Sequence, residues 1–186
     1  MENFKLVREI NFSPPEGGDT MRGIWLISFL ITLLVQVLGN IFLKFGVLSG
    51  WEYILLVTIP LVLLHEGLHS LVFLSNGFKV KFGLGAITGG IGFWTSSPGS
   101  KLTKRQFQVL ALFPQILSIA CIVVLLYHSN IPEWLVRSLI SFLAINLGGG
   151  ASDIYLFLLL YTYPEGIYIE DTKMGCKIYQ SRREDD

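Results

Sequence analysis

The stretch Leu63-Leu64-His65-Glu66-Gly67-Leu68-His69-Ser70-Leu71 places two histidines and a carboxylate inside a segment that is otherwise mostly apolar. On a helix, residues four apart lie on one face, so His65 and His69 can bind one zinc ion. Glu66 stands beside the first histidine, where it can deprotonate a water that the metal activates. A charge at membrane depth costs roughly 2.5–3.5 kcal/mol or more unless it is compensated. The stretch therefore predicts a metal site inside a membrane helix; core histidines bonded to backbone carbonyls are the alternative.

The composition is that of a membrane protein. The chain has 186 residues, of which 52% are hydrophobic and only 15% are charged, and its length fits one domain. Basic and acidic residues balance at 14 each, and no basic patch with interleaved aromatic residues is present, so nucleic acid is not an expected partner. Cys121 lies in an apolar run and Cys176 in a polar tail, so we expect two inert thiols rather than a disulfide.

Four apolar runs have the length that a membrane-spanning helix needs; they cover residues of about 24–48, 52–75, 106–127 and 134–163. Between the second and third runs the pattern changes to a period of two, which predicts a β-hairpin at about 78–95, or else a glycine-rich loop. The N-terminal residues 4–12 and the tail 164–186 carry further short β patterns. The predicted fold is mainly α: a polytopic membrane protein with one domain, 1–186, four transmembrane helices, the hairpin and small cytoplasmic β elements at the termini.

Two prolines fall inside the predicted helices. Pro60 in the second helix and Pro114 in the third each remove one helical hydrogen bond, so both are expected to bend their helix.

The basic residues indicate an orientation. Twelve of them precede the first helix, join the second to the third, or follow the fourth, whereas Lys44 and Arg137 are on the opposite side. The excess of positive charge on cytoplasmic segments predicts a multi-pass protein of the cell membrane with both termini in the cytoplasm.

A second carboxylate lies at the same predicted depth as the histidine pair. At about 1.5 Å per residue, both Asp153 and the His65–His69 segment lie roughly 10–15 Å inside the cytoplasmic ends of their helices. Two costly carboxylates, Glu66 and Asp153, at matched depth on different helices are explained by one shared cation. We therefore expect His65, His69 and Asp153 to hold Zn²⁺ with a fourth position open to water, as in catalytic sites. A hydrogen-bonded or protonated Asp153 that serves helix packing is the alternative.

Asn146 lies two helical turns before Asp153 and shares its face. It can orient a ligand, donate to the oxyanion of a substrate, or form an ordinary interhelical hydrogen bond. The three glycines Gly148–Gly150 allow helix 4 to approach helix 2 closely or to unwind beside the metal.

The sequence resembles the putative zincin peptidase family of small bacterial membrane proteins over most of its length. The features that carry the resemblance are His65-Glu66-Gly67-Leu68-His69, the extended run 79–82, the helix bent at Pro114, and Asn146-Leu147-Gly148-Gly149-Gly150-Ala151-Ser152-Asp153. More distantly the chain is similar to the site-2 intramembrane metalloproteases, although it has no Leu-Asp-Gly or Asn-Pro-Asp-Gly around its aspartate. The resemblance implies that His65, His69 and Asp153 are metal ligands and that Glu66 is the general base.

We therefore expect a zinc metalloprotease that cleaves peptide bonds near the cytoplasmic face. Its expected partners are the lipid bilayer and a membrane protein or peptide substrate, with a homo-oligomer as a further possibility. The alternative is a non-catalytic membrane protein, either an inactive relative or a subunit that binds peptides or partner helices. A haem site is disfavoured because histidines four apart approach an ion from the same side, and a transporter because no repeated half is present.

Overall fold

The computed structural model describes residues 4–12, 18–43, 51–87, 90–173 and 175–181. Its α-helices are α1 Gly18–Phe42, α2 Trp51–Ser75, α3 Lys104–Leu112, α4 Ile116–Leu125, α5 Glu133–Gly149 and α6 Ala151–Leu159. Its strands are β1 Phe4–Asn11, β2 Lys81–Ile87, β3 Gly90–Ser96, β4 Leu102–Thr103, β5 Ile167–Thr172 and β6 Gly175–Ser181. The chain is thus mainly helical with additional β strands, as the sequence predicts.

Within the described residues, four helical segments are long and apolar enough to cross a membrane: Thr20–Phe42, Val57–Ser75, Lys104–Leu125 and Glu133–Thr162. They coincide with the four predicted helices, although the first begins before residue 24. The predicted end of that helix at 44–48, with Lys44, and the turn signal at 88–89 lie outside the described residues.

Two of the four segments are interrupted where the sequence predicts it. Phe113–Gln115 forms a 3-10 turn between α3 and α4, because Pro114 has no N–H to continue an α-helix. In the last segment α5 ends at Gly149, and the N–H of Gly150 closes the turn on the carbonyl of Asn146 before α6 begins. By contrast, α2 continues through Pro60 as one helix.

The strands form two antiparallel sheets. The predicted hairpin is confirmed: β2 pairs with β3 from Lys81 opposite Ser96 to Ile87 opposite Gly90, which excludes an irregular loop. The other sheet has the order β1-β6-β5-β4, so the N-terminal strand pairs with the tail. The first residue of β6 is Gly175, and a larger residue would not fit there because its Cβ would lie 2.0 Å from the carbonyl oxygen of Ile10.

The chain divides into two compact units, each assembled from segments that are distant in sequence. Unit 1 comprises residues 1–22, 66–113 and 153–186, and unit 2 comprises residues 23–65 and 114–152. The core of unit 1 contains Phe73, Leu102, Phe107, Ile169 and Ile178, and that of unit 2 contains Leu61, Val136, Ile140 and Ala144. Both cysteines are buried and free, as expected.

Candidate metal centre

The second histidine of the motif is held by a backbone carbonyl. Nδ1 of His69 lies 3.0 Å from the carbonyl oxygen of Leu110 in α3. Since a carbonyl only accepts, Nδ1 carries the proton and the lone pair of the neutral ring is on Nε2. Nε2 lies 3.6 Å from Oδ2 of Asp153, and both side chains are largely buried. His69 therefore presents its lone pair to a carboxylate on another helix.

The first histidine is held by an amide. Nδ1 of His65 lies 3.1 Å from Oδ1 of Asn146 in α5. Nδ2 of Asn146 donates to Oγ of Ser118 at 2.8 Å and to the carbonyl of Pro114 at 3.3 Å. His65 and His69 lie on the one continuous helix α2, four residues apart, so helical geometry places their rings on one face.

The structure brings together the three residues that the sequence singles out as metal ligands. Ligand atoms of His65, His69 and Asp153 all lie within 4.8 Å of one another. Two ligands about 2.0–2.1 Å from a tetrahedral zinc ion are roughly 3.3 Å apart, close to the 3.6 Å between His69 Nε2 and Asp153 Oδ2. Two neutral imidazoles and one carboxylate are also groups that zinc commonly takes as ligands. The residues therefore fit a zinc ion.

Glu66 is outside this group of ligand atoms and directly follows His65 in α2. Its backbone carbonyl accepts hydrogen bonds from Oγ of Ser70 at 3.0 Å and from Oγ1 of Thr95 at 3.1 Å. Thr95 belongs to β3, so the hairpin is fastened to the motif helix at the residue expected to act as the base. The sequence predicts the hairpin between helices 2 and 3 but not this contact.

A further carboxyl group, which sequence reasoning missed, approaches the site. Burial raises the pKa of Asp171 well above its usual range, and the nearby charges of Asp153, Glu66 and Glu170 raise it further. The signal that could have revealed it is the alternation in β5, where Ile167 and Ile169 are buried. Asp171 continues that inward-facing row, because every second residue of a strand points to the same side.

The family of the chain follows from a sequence comparison. A family model with the description "Putative zincin peptidase" matches residues 58–168. The chain belongs to this family. The part that matches the zincin peptidase model contains both histidines, Glu66, Asn146 and Asp153, whereas Asp171 follows it. Searches of curated proteins and of solved structures find no match.

Proposed function

We propose that this member of the zincin peptidase family is a zinc-dependent peptidase embedded as one domain in the cell membrane, with both termini in the cytoplasm. The observation that carries the proposal is the group of His65, His69 and Asp153, with Glu66 between the histidines on the same helix. Bound zinc would polarise the scissile carbonyl and lower the pKa of the attacking water towards about 7.

A bilayer environment accounts for the surface of α1. Many of its large apolar side chains are at least 48% exposed; they include Trp25, Leu26, Phe29, Leu30, Leu33, Leu34, Ile41 and Phe42. Soluble monomers rarely expose an apolar surface of this extent. In the bilayer these side chains would face lipid, and the distribution of lysine and arginine supports cytoplasmic termini.

The chain's own residues divide the chemistry between them. His65, His69 and Asp153 hold the cation. Glu66 accepts a proton from the attacking water and returns it to the leaving amine, which is the work of a general base followed by a general acid. Glu66 is suited to this because it stands next to a ligand while remaining outside the ligand group.

The hairpin is the element that we propose to hold the substrate. β2 and β3 form a two-stranded sheet, so within the described residues each strand keeps one edge without a strand partner. An extended peptide can pair with such an edge through its backbone. The hydrogen bond from Thr95 to the carbonyl of Glu66 would bring that peptide close to the base.

The test separates metal binding from cleavage. The wild-type protein and the variants Glu66→Gln, His65→Ala and Asp153→Ala are purified in detergent, zinc is measured by mass spectrometry, and cleavage of unfolded casein is followed. We expect the wild type and Glu66→Gln to hold one zinc per chain but only the wild type to cut. His65→Ala and Asp153→Ala should lose both properties, whereas the control His128→Ala should retain both.

Two results would contradict the proposal. Normal turnover by Glu66→Gln would eliminate the mechanism. Substoichiometric zinc in the wild type, with no cleavage, would favour the alternative of a non-catalytic member that binds peptides or partner helices.

A further inference from the structure

Pro114 leaves a carbonyl group of α3 available to a histidine. In a continuous α-helix the carbonyl of Leu110 would accept from the N–H of residue 114, and proline has no N–H. The structure places Nδ1 of His69 on that carbonyl, at 3.0 Å. The proline that interrupts the helix therefore removes a backbone donor that would compete with the imidazole.

The carbonyl of Pro114 itself fixes the amide of Asn146. Because this carbonyl can only accept, the group that faces it at 3.3 Å is the NH₂ of Asn146. The other amide atom, Oδ1, then faces His65 and accepts from its Nδ1. The lone pair of the neutral His65 ring is consequently on Nε2, as in His69.

A buried network keeps Asn146 in this orientation. Asn146 and Ser118 are only 2% and 3% exposed. Ser118 accepts from Nδ2 of Asn146 and in turn donates to Oε1 of Gln115 at 3.2 Å. Gly150 leaves space for the Gln115 side chain, since a Cβ at residue 150 would lie 2.3 Å from Nε2 of Gln115. Rotation of the Asn146 amide would break these bonds and leave a buried donor and a buried acceptor unsatisfied, which is unfavourable.

We propose that Asn146 and Pro114 are positioning residues that hold both metal-binding histidines in the Nδ1–H tautomer, a proposal that rests on the proposed zinc function. Both polar atoms of the Asn146 amide are engaged within the protein, so Asn146 acts on the metal through His65 and not on the substrate oxyanion. Partners of this kind typically change metal affinity or activity by 10–100-fold when they are removed.

The direct test reads the tautomers without metal. The protein is labelled with ¹⁵N in its histidines, stripped of metal and examined by long-range ¹H–¹⁵N correlation NMR at about pH 8, where ordinary histidines are neutral. We expect protonated Nδ1 in both His65 and His69. Asn146→Leu should shift only His65 towards the Nε2–H tautomer, and Pro114→Ala should shift His69. Asn146→Asp loses the NH₂ that faces Pro114 but keeps an acceptor for His65, so Nδ1 of His65 should remain protonated.

A zinc titration against a chelating dye gives the second readout. Asn146→Leu and Pro114→Ala should bind zinc about 10–100-fold more weakly, while Asn146→Asp, which keeps the acceptor for His65, should bind zinc more tightly than Asn146→Leu. The milder Ser118→Ala keeps the test valid if a larger change prevents folding, and it should weaken zinc binding by a smaller factor. The matched control is Ser138→Ala, which removes another buried hydroxyl, one that donates within α5 to the carbonyl of Trp134.

The outcomes separate this proposal from the proposed function. Unchanged tautomers and unchanged zinc affinity in Asn146→Leu, with only turnover reduced, would overturn the positioning role and favour an oxyanion donor. Zinc binding that depends on Asn146 in a wild-type protein that cuts no peptide would support the positioning role and overturn the peptidase function. A wild-type protein that binds no zinc would overturn both.

Discussion

The packing at Gly148 yields a stability prediction with an internal control. A Cβ at residue 148 would lie 2.0 Å from Oγ1 of Thr32 and 2.8 Å from the backbone carbonyl oxygen of Ser28, both in α1. The adjacent Gly149 has nothing within 4 Å of its ideal Cβ. Gly148→Ala must therefore displace α1, whereas Gly149→Ala adds its methyl group to open space.

The expected magnitude follows from three terms. Either alanine gains about 1 kcal/mol of helix propensity over glycine, and this term cancels when the two variants are compared. Overpacking at residue 148 costs about 1–3 kcal/mol. Separation of the helices also loses the bond from Thr32 Oγ1 to the carbonyl of Ala144, at 3.3 Å, worth about 0.5–1.5 kcal/mol. Gly148→Ala should thus be roughly 1.5–4.5 kcal/mol less stable than Gly149→Ala.

The assay is reversible unfolding in mixed micelles, followed by circular dichroism for the wild type and the two variants. The double variant Thr32→Ala/Gly148→Ala should recover part of the loss, because it removes the nearer of the two clashes. Equal stabilities of Gly148→Ala and Gly149→Ala would refute the reasoning, since they would mean that α1 and α5 do not approach at Gly148 as closely as the structure shows.

Three further predictions concern pH, the hairpin and metal. The raised pKa of Asp171 means that the folded state binds the carboxyl proton more tightly than the unfolded state does. The stability that this proton contributes is therefore fully present below the ordinary pKa of aspartate, and it is lost as pH rises through the pKa of the folded state. In metal-free protein Asp171→Asn should therefore be more stable than the wild type near neutral pH, and the difference in unfolding free energy should vanish towards about pH 4. A Cβ at Gly83 would lie 2.6 Å from the Trp94 ring, so Gly83→Ala should distort the hairpin that we propose to hold the substrate. This variant should reduce kcat/KM for casein several-fold, while Gly85→Ala, whose Cβ would have no contact under 3.6 Å, should not. Zinc at about 100 times its Kd should add about 2.7 kcal/mol to the unfolding free energy of the wild type and nothing to that of His65→Ala, as a thermal shift would show.

Much of the local structure could be predicted from the sequence, because local patterns carry it. Apolar runs of sufficient length predict the four helices, and the change from helical to alternating periodicity predicts the hairpin. Pro114 predicts the interruption of the third segment, since the missing N–H is a property of the residue itself. The depth of Asp153 along its helix is local information too, because it is counted along the chain.

The partners of these residues could not be predicted in the same way. The sequence offers Asn146 as a residue that can orient a ligand but does not say which one, and nothing near Leu110 indicates its contact with His69, since both contacts join helices that are distant along the chain. Likewise, the alternation in residues 4–12 predicts a strand but not its pairing with β6. Asp171 was missed because its approach to Asp153 and Glu66 depends on how β5 lies within unit 1.

The sequence by itself determined which residues can bind a cation and that two of them share one helical face, because a helix repeats every 3.6 residues whatever surrounds it. The tertiary structure alone decided how closely the Asp153 carboxylate approaches the second histidine and which nitrogen of each ring carries the lone pair. Those properties depend on acceptors more than 40 residues away in the chain, and only the folded packing brings such groups within hydrogen-bond distance.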